Sequence, residues 1–309
     1  MFEIRPYPEF AWSITRQKQI RDCPRAYYYR YYLSHNGWLR DAPEAGRLAY
    51  RLSKLTGLDA LLGQQMDYRA REIEAAARAG EAIPTAAELE THTRVALREA
   101  WRASLDQRDA FEAKPNSVTM LRSFYIEEGP PSSAETDRLN EKLTACHANL
   151  LAAGHWDRLR ECGADGCVTI EAFAHFYLDG VKTYSAGDLA YVHDKTVYLI
   201  DWKSGRPGSD DPVQVILATH SLLQSNPHLT GLPVRATLRY LLTGEERQVE
   251  PPSDLEAFVT DTVSAGIREM HSFLRDVETN APLEMSEFPR RESGLCASCN
   301  YTWLCERQG

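Results

Sequence analysis

A change of hydrophobic period near residue 167 constrains this 309-residue chain more than any other feature. Before it, apolar residues recur at helical spacing, as in Leu52, Leu55, Leu58, Leu61 and Leu62. Ser13 is placed to cap a helix reaching about Leu33, with Pro24 as a break or restart because it lacks an N–H. Further helices are expected over 43–80, from Pro84-Thr85 to about 105, over 117–127 and over 133–160. Beyond the change, 167–178, 181–192 and 196–202 alternate and are rich in Val, Ile, Tyr, Phe and Thr, which predicts strands. A helix over 211–225, strands over 233–243 and 246–250, and a long helix capped by Ser253 and reaching about 278 complete the pattern. The expected fold is α/β. A small mixed β-sheet core flanked by helices (167–280) follows a helical N-terminal lobe (1–166). That lobe includes a helical insertion at about 81–166, and a C-terminal cysteine segment (281–309) ends the chain.

Two acids fall on the expected strands. Gly187-Asp188-Leu189-Ala190 precedes, and Leu199-Ile200-Asp201-Trp202-Lys203 follows, a turn expected at Asp194-Lys195. That turn puts Asp188 opposite Asp201, with Cβ atoms roughly 4.5–5.5 Å apart. Lys203 shares their face and Trp202 takes the other, because side chains alternate along a strand. Two carboxylates so close repel unless a cation sits between them. Oxygen ligands suit Mg²⁺ or Mn²⁺, and a nearby Lys can orient water or offset charge on a phosphate. Such a set serves metal-assisted phosphodiester hydrolysis. A bare Asp-x-Lys is more often a solvated ion pair at a strand end. The paired Asp188 and the apolar run before Asp201 favour a site.

The seven cysteines are unevenly spread. Cys296-x2-Cys299-x5-Cys305 supplies three soft ligands, and a closed tetrahedral zinc site or a cubane needs four. Cys23, near the other end of the chain, is the natural fourth. In a reducing compartment such a cluster reads as metal binding before disulfides. Cys162 and Cys167, with His155 and His175 nearby, read as ordinary thiols rather than a second metal site, and Cys146 reads as buried packing on an amphipathic helix.

The arrangement resembles the PD-(D/E)XK nuclease superfamily, in particular its RecB-like branch. That branch carries an acid in a Gly-x-Asp setting, a hairpin, Asp/Glu-x-Lys, and then a helix with a Gln. The matching positions are Asp188, Asp201, Lys203 and Gln214. The resemblance implies that Asp188 and Asp201 bind Mg²⁺ or Mn²⁺ together with the Trp202 main-chain carbonyl, while Lys203 assists the attacking water. Glu171 stands where members often place another acid, and reads equally as a surface strand residue. Relatives carry a His in a Gly-x-x-x-His setting; here Gly63 leads to Asp67, itself an acceptable oxygen ligand. The Tyr that usually follows the Gln is replaced by Ala218. Cys23-Pro24-Arg25-Ala26-Tyr27-Tyr28-Tyr29 resembles the first cysteine of the iron–sulfur nucleases, including AddB-type domains and CRISPR-associated adaptation nucleases. The resemblance implies a structural [4Fe–4S] cluster on Cys23, Cys296, Cys299 and Cys305 that joins the tail to the N-terminal lobe, with Zn²⁺ as the alternative.

The expected activity is a metal-dependent deoxyribonuclease acting on DNA ends or single strands, as an exonuclease or single-strand nuclease. The alternatives are a non-catalytic DNA-binding or assembly subunit with a degenerate site, and a zinc-stapled nuclease. No Gly-x4-Gly-Lys-Ser/Thr is present, so unwinding would need a helicase or another repair or defence protein as partner. The chain carries 35 Lys+Arg against 44 Asp+Glu, a net charge of −9, which argues against a general nucleic-acid coat protein. Residues 1–54 run the other way, with ten Lys/Arg against five acids. Arg16, Lys18, Arg25 and Arg30 are the expected phosphate contacts. The tyrosine run either stacks bases or packs its helix. No apolar stretch approaches the ~18 residues of a membrane span. No basic region precedes an apolar run at the start, so a cytoplasmic location is expected.

Overall fold

A computed structural model describes residues 4–163, 166–168, 170 and 174–306. The fold is mixed α/β. The chain packs as two compact units, each assembled from separated stretches. The first draws on 1–57, 98–131 and 263–309, the second on 58–97 and 132–262. Among the described residues, no helix is long and apolar enough to cross a membrane.

In the first unit, β1 (Ala11–Trp12) leads into α1 (Ile14–Asp22), where the Ser13 hydroxyl accepts the Arg16 N–H as expected of a cap. Cys23 leaves helical geometry, and Pro24 opens α2 (Pro24–Tyr28), which runs on as a π-helical turn over Tyr29–Leu33. α3 (Glu44–Ser53) ends early, so the expected helix over 43–80 is broken. The cause is Thr56. Its N–H donates to the Met120 carbonyl (3.1 Å) and its own carbonyl accepts from the Arg122 N–H (2.8 Å), which holds the chain extended. The helix expected from Pro84-Thr85 forms as α5 (Ala86–Asp106), α6 (Arg108–Ala113) was not legible in the periodicity, and α7 (Arg122–Ile126) is one short helix. The core gathers Tyr29, Leu52, Phe111, Met120, Tyr125, Tyr301 and Leu304.

The second unit holds α4 (Leu58–Ala79), α8 (Ser133–Leu151) and α9 (His155–Cys162). The expected helix over 133–160 breaks between Leu151 and His155. Its five-stranded sheet runs in the order β2 (Cys167–Val168), β5 (Leu189–His193), β6 (Thr196–Lys203), β7 (Val234–Tyr240), β8 (Glu245–Val249). Within this sheet β6 and β7 pair in parallel, and α10 (Asp211–Ser225) makes the crossover between them. β3 (His175–Leu178) and β4 (Val181–Tyr184) form a separate hairpin.

The β5–β6 hairpin has the expected register: Leu189 pairs with Ile200 and His193 with Thr196. Asp194 (φ 47°) and Lys195 (φ 57°) are both left-handed, as a two-residue primed turn requires. The expected strand over 181–192 is split, because 185–188 leave the ladder. Gly187 passes so close to β6 that a Cβ there would meet Leu199 Cδ1 at 2.5 Å. β6 is buried on both faces. Tyr198, Ile200 and Trp202 pack with Leu62 and Met66 of α4 and Trp156 of α9. Val197 and Leu199 pack with Val215, Ala218 and Leu222 of α10. Full burial of each such aliphatic is worth about 1.5–3 kcal/mol, so β6 is firmly fixed between two layers.

The long helix α11 (Leu255–His271) is capped by Asp254, whose carboxylate accepts the Ala257 N–H, and not by Ser253. It stops short of 278, and β9 (Leu274–Asp276) pairs with β10 (Ala281–Pro282) in its place.

Candidate active site

The C-terminal end of β6 carries Asp201 and Lys203 on the α10 side, while Trp202 stacks on Trp156 on the other, with ring centroids 5.4 Å apart. Asp201 is 2% exposed. The Lys203 ammonium lies 2.7 Å from Asp201 Oδ2 and donates to Gln214 Oε1 at 2.8 Å. Gln214, in the first turns of α10, donates through Nε2 to Asp201 Oδ1 at 3.4 Å. Asp201, Lys203 and Gln214 thus form a closed triangle of contacts.

Asp188, just ahead of β5, is held through both its backbone and its side chain. Its N–H donates to the Ile200 carbonyl (2.9 Å), and its Oδ2 accepts the Trp202 N–H (2.7 Å). The regular ladder ends one pair earlier, at Leu189–Ile200. Asp188 therefore reaches Asp201 through the end of the hairpin and not as a ladder partner. It is open to solvent, yet protein crowds it on most sides. That crowding, then the charges of Asp201 and Asp67, push its carboxyl well above the usual range. Burial likewise raises Asp201, with the Lys203 charge pulling it back and Asp211 raising it again.

Asp67 enters from α4. A Cβ on Gly63, one turn earlier, would meet Ser204 Oγ at 3.1 Å, so this helix lies close against the end of β6. The Asp67 carboxyl is pushed up to about 6, chiefly by the protein around it, with Arg71 lowering it and Asp201 raising it. Of the six expected side chains, Glu171 lies outside the described residues, and the other five are linked by contact or charge: Asp67, Asp188, Asp201, Lys203 and Gln214.

The sequence reading missed Asp211 and Tyr240. Asp211 Oδ2 accepts the Gly208 N–H (2.7 Å) and the Tyr240 hydroxyl (3.0 Å), and its charge acts on Asp201. Tyr240 is the register partner of Lys203 on the parallel strand β7. An Asp at a helix start reads as a cap, and Tyr240 is brought in by the crossover alone.

The donor set fits a hard divalent cation. Asp201 Oδ2 is buried, and its close contact is the ion pair with the Lys203 ammonium at 2.7 Å. Raised carboxyls from Asp67, Asp188 and Asp201 also mark a surplus of negative charge that a cation would relieve. Among the described residues, no three Cys, His, Asp or Glu side chains are drawn together tightly enough to hold a metal as they stand. Lys203 and, at Asp67, Arg71 supply positive charge at the cluster.

In the first unit, Cys23, Cys296, Cys299 and Cys305 line one cavity of about 630 Å³. All four are free thiols. Burial raises the Cys299 thiol, and Cys305, Cys23 and Cys296 each raise it further. Four soft donors at one cavity suit a cubane or zinc. Of the expected phosphate contacts, Arg16 donates to the Ala11 carbonyl (2.9 Å) and Arg25 to the Phe288 carbonyl (2.8 Å), so both also brace the fold. Lys18 and Arg30 are exposed. Tyr27 and Tyr29 are buried, and Tyr28 packs on Phe288 with centroids 4.9 Å apart, which favours packing over base stacking for these three.

A family model described as the PD-(D/E)XK nuclease superfamily matches residues 11–306. None of the curated proteins matches the chain closely enough to count as a relative.

Proposed function

This chain belongs to the PD-(D/E)XK nuclease superfamily, and from that premise we propose that it hydrolyses DNA phosphodiesters at the Asp188–Asp201–Lys203–Gln214 cluster. The observation that carries the reading is the buried Asp201 carboxylate, ion-paired through Oδ2 at 2.7 Å with an ammonium that Gln214 also holds. Asp188, Asp201, Asp67 and the Trp202 carbonyl would hold Mg²⁺ or Mn²⁺, which supplies Lewis-acid polarisation of the phosphoryl oxygen. The chain's own groups do the rest. Gln214 fixes the Lys203 ammonium, which orients the attacking water and offsets charge developing on the phosphate. The Trp202 N–H fixes Asp188, so both carboxylates are oriented before substrate arrives. Asp211, anchored by Tyr240, keeps negative charge behind Asp201 and strengthens its hold on a cation.

The finer reading is an exonuclease or single-strand nuclease of the RecB-like, iron–sulfur type. Cys23, Cys296, Cys299 and Cys305 hold a [4Fe–4S] cluster in it, and a separate helicase chain supplies unwinding. Its support is the convergence of the four cysteines on one cavity.

The test is digestion of end-labelled single- and double-stranded DNA with Mg²⁺ or Mn²⁺, with EDTA as the control. Asp201→Ala and Lys203→Ala are each expected to lower the rate by at least about a hundredfold. Wild-type cleavage by Asp201→Ala would overturn the assignment.

A further inference from the structure

A cavity of about 990 Å³ that neither the carboxylate cluster nor the cysteines account for lies in the first unit. Its walls are the turn Gly37–Arg40, α3, and the segment from Glu112 to Asn116. It is basic in a chain whose net charge is −9: five Lys or Arg line it against two Glu. One of those Glu is already engaged. Glu112 pairs with Arg51 (3.6 Å), receives Arg108 (3.4 Å) and accepts the Tyr125 hydroxyl (3.1 Å). Among the described residues, Arg40, Arg47 and Lys114 form no ion pair. Arg51 Nε is buried with no hydrogen-bond partner. The cavity therefore holds cationic groups that the fold does not neutralise.

It also holds an aromatic surface. Trp38 is 46% exposed and stands edge-on to Tyr50, with centroids 5.6 Å apart. Tyr50 is pinned by the Asn116 side-chain amide, which donates to its hydroxyl at 2.7 Å. The turn carrying Trp38 is locked onto α3, since a Cβ on Gly37 would meet the Gly46 carbonyl oxygen at 2.4 Å. An exposed indole on a rigid turn beside unpaired guanidinium groups suits a ligand with both a flat ring and an anion.

We propose that this cavity binds single-stranded DNA, with a base against Trp38 and neighbouring phosphates on Arg40, Arg47 and Lys114. The base must be unpaired, because a duplex presents no free ring face to a concave pocket. The choice of DNA rests on the nuclease reading above. The proposal also gives part of the 81–166 region a role, since Glu112–Asn116 forms one wall.

Binding is measured by fluorescence anisotropy of a labelled oligo-dT in EDTA, so that no cleavage intervenes, using the full chain. Arg40→Ala/Arg47→Ala is expected to weaken binding roughly tenfold or more. The double substitution should also lower the slope of log Kd against log salt by roughly 1.4, about 0.7 per lost phosphate contact on a single strand. Trp38→Ala should weaken binding by about tenfold with the salt slope unchanged, and Trp38→Phe should recover much of it. Blunt duplex of the same sequence should compete poorly. Should the double variant misfold by circular dichroism, Lys114→Gln in the Glu112–Asn116 wall reads the same slope, with a drop of roughly 0.7. Unchanged affinity and slope in these variants, or equal binding of duplex, would overturn the proposal. Protein that binds oligo-dT through these residues but cleaves nothing with Mg²⁺ or Mn²⁺ refutes the nuclease reading and keeps the pocket. Protein that cleaves DNA while its binding ignores these substitutions does the reverse.

Discussion

Asp188 carries its charge at a cost. Its carboxyl is raised by the protein around it and by two other acids, and its one direct partner is the Trp202 N–H. An amide could accept that same bond without the repulsion. Asp188→Asn is therefore expected to melt no lower than the wild type in EDTA at about pH 8, while metal-dependent cleavage falls by at least about a hundredfold. Calorimetry and a digestion assay on the same preparation check both. A variant melting several degrees lower would mean that the carboxylate stabilises the fold. Asp67 gives a pH test. Its folded pKa of about 6 lies above the ordinary 3.8, so the folded, metal-free protein binds this proton more tightly than the unfolded chain. That contribution is complete below about 3.8 and disappears as pH rises through about 6. Metal-free stability should fall across this window, Asp67→Asn should flatten the fall, and Mn²⁺ should oppose it by favouring the ionised form. Identical pH profiles for wild type and Asp67→Asn would remove Asp67 from the site. At this scale the sequence was most legible where spacing alone fixes geometry, as for Asp201 and Lys203. Asp211 and Tyr240 were hidden, because only the crossover from β6 through α10 to β7 brings them beside Asp201.

The β5–β6 hairpin is the element that turns two separated acids into a pair. Its register follows from the turn, and the turn is not ideal in sequence: Lys195 sits at φ 57°, where a side chain costs about 1–2 kcal/mol relative to glycine. Lys195→Gly relieves that strain and loses some of it to the freer unfolded chain. The expected net is a gain of about 0.5–1 kcal/mol in urea denaturation, with cleavage unchanged because the turn lies at the opposite end of β6 from Asp201. A loss of stability would show that the Lys195 side chain contributes more than its backbone costs. The hairpin was legible because period, turn and charge agree. The interruptions of the helical stretches were not. Lys54–Gly57 has no proline to mark a break, and its extended shape comes from backbone bonds between Thr56 and the distant residues Met120 and Arg122. The split of 181–192 likewise reflects the close approach of Gly187 to Leu199, which alternation along a single strand does not reveal.

At the scale of the whole molecule, the first unit is assembled from three stretches of chain, including both its beginning and its end. Such a unit requires distant segments to close, and closing long loops costs entropy that grows only slowly with length. A cluster held by Cys23 on one side and Cys296, Cys299 and Cys305 on the other would make that closure once, for nearly the whole chain. Tertiary assembly of this kind has no local pattern, so the sequence pointed to it only through the unusual placing of the cysteines. If the four thiols act as one staple, any single loss opens the same loop. Cys23→Ser and Cys299→Ser should then each lower unfolding free energy by an amount on the order of 5 kcal/mol, as for a long closed loop. The double variant should be little worse than either single one, because the second substitution removes a ligand from a staple already open. Guanidinium titrations without oxygen measure all three. A brown protein whose absorbance is lost in each variant identifies the iron–sulfur cluster, and a colourless one with one equivalent of zinc identifies the alternative staple. Small, additive effects of the two substitutions would instead describe four independent thiols lining a cavity, and the proposed cluster would be wrong whatever the metal.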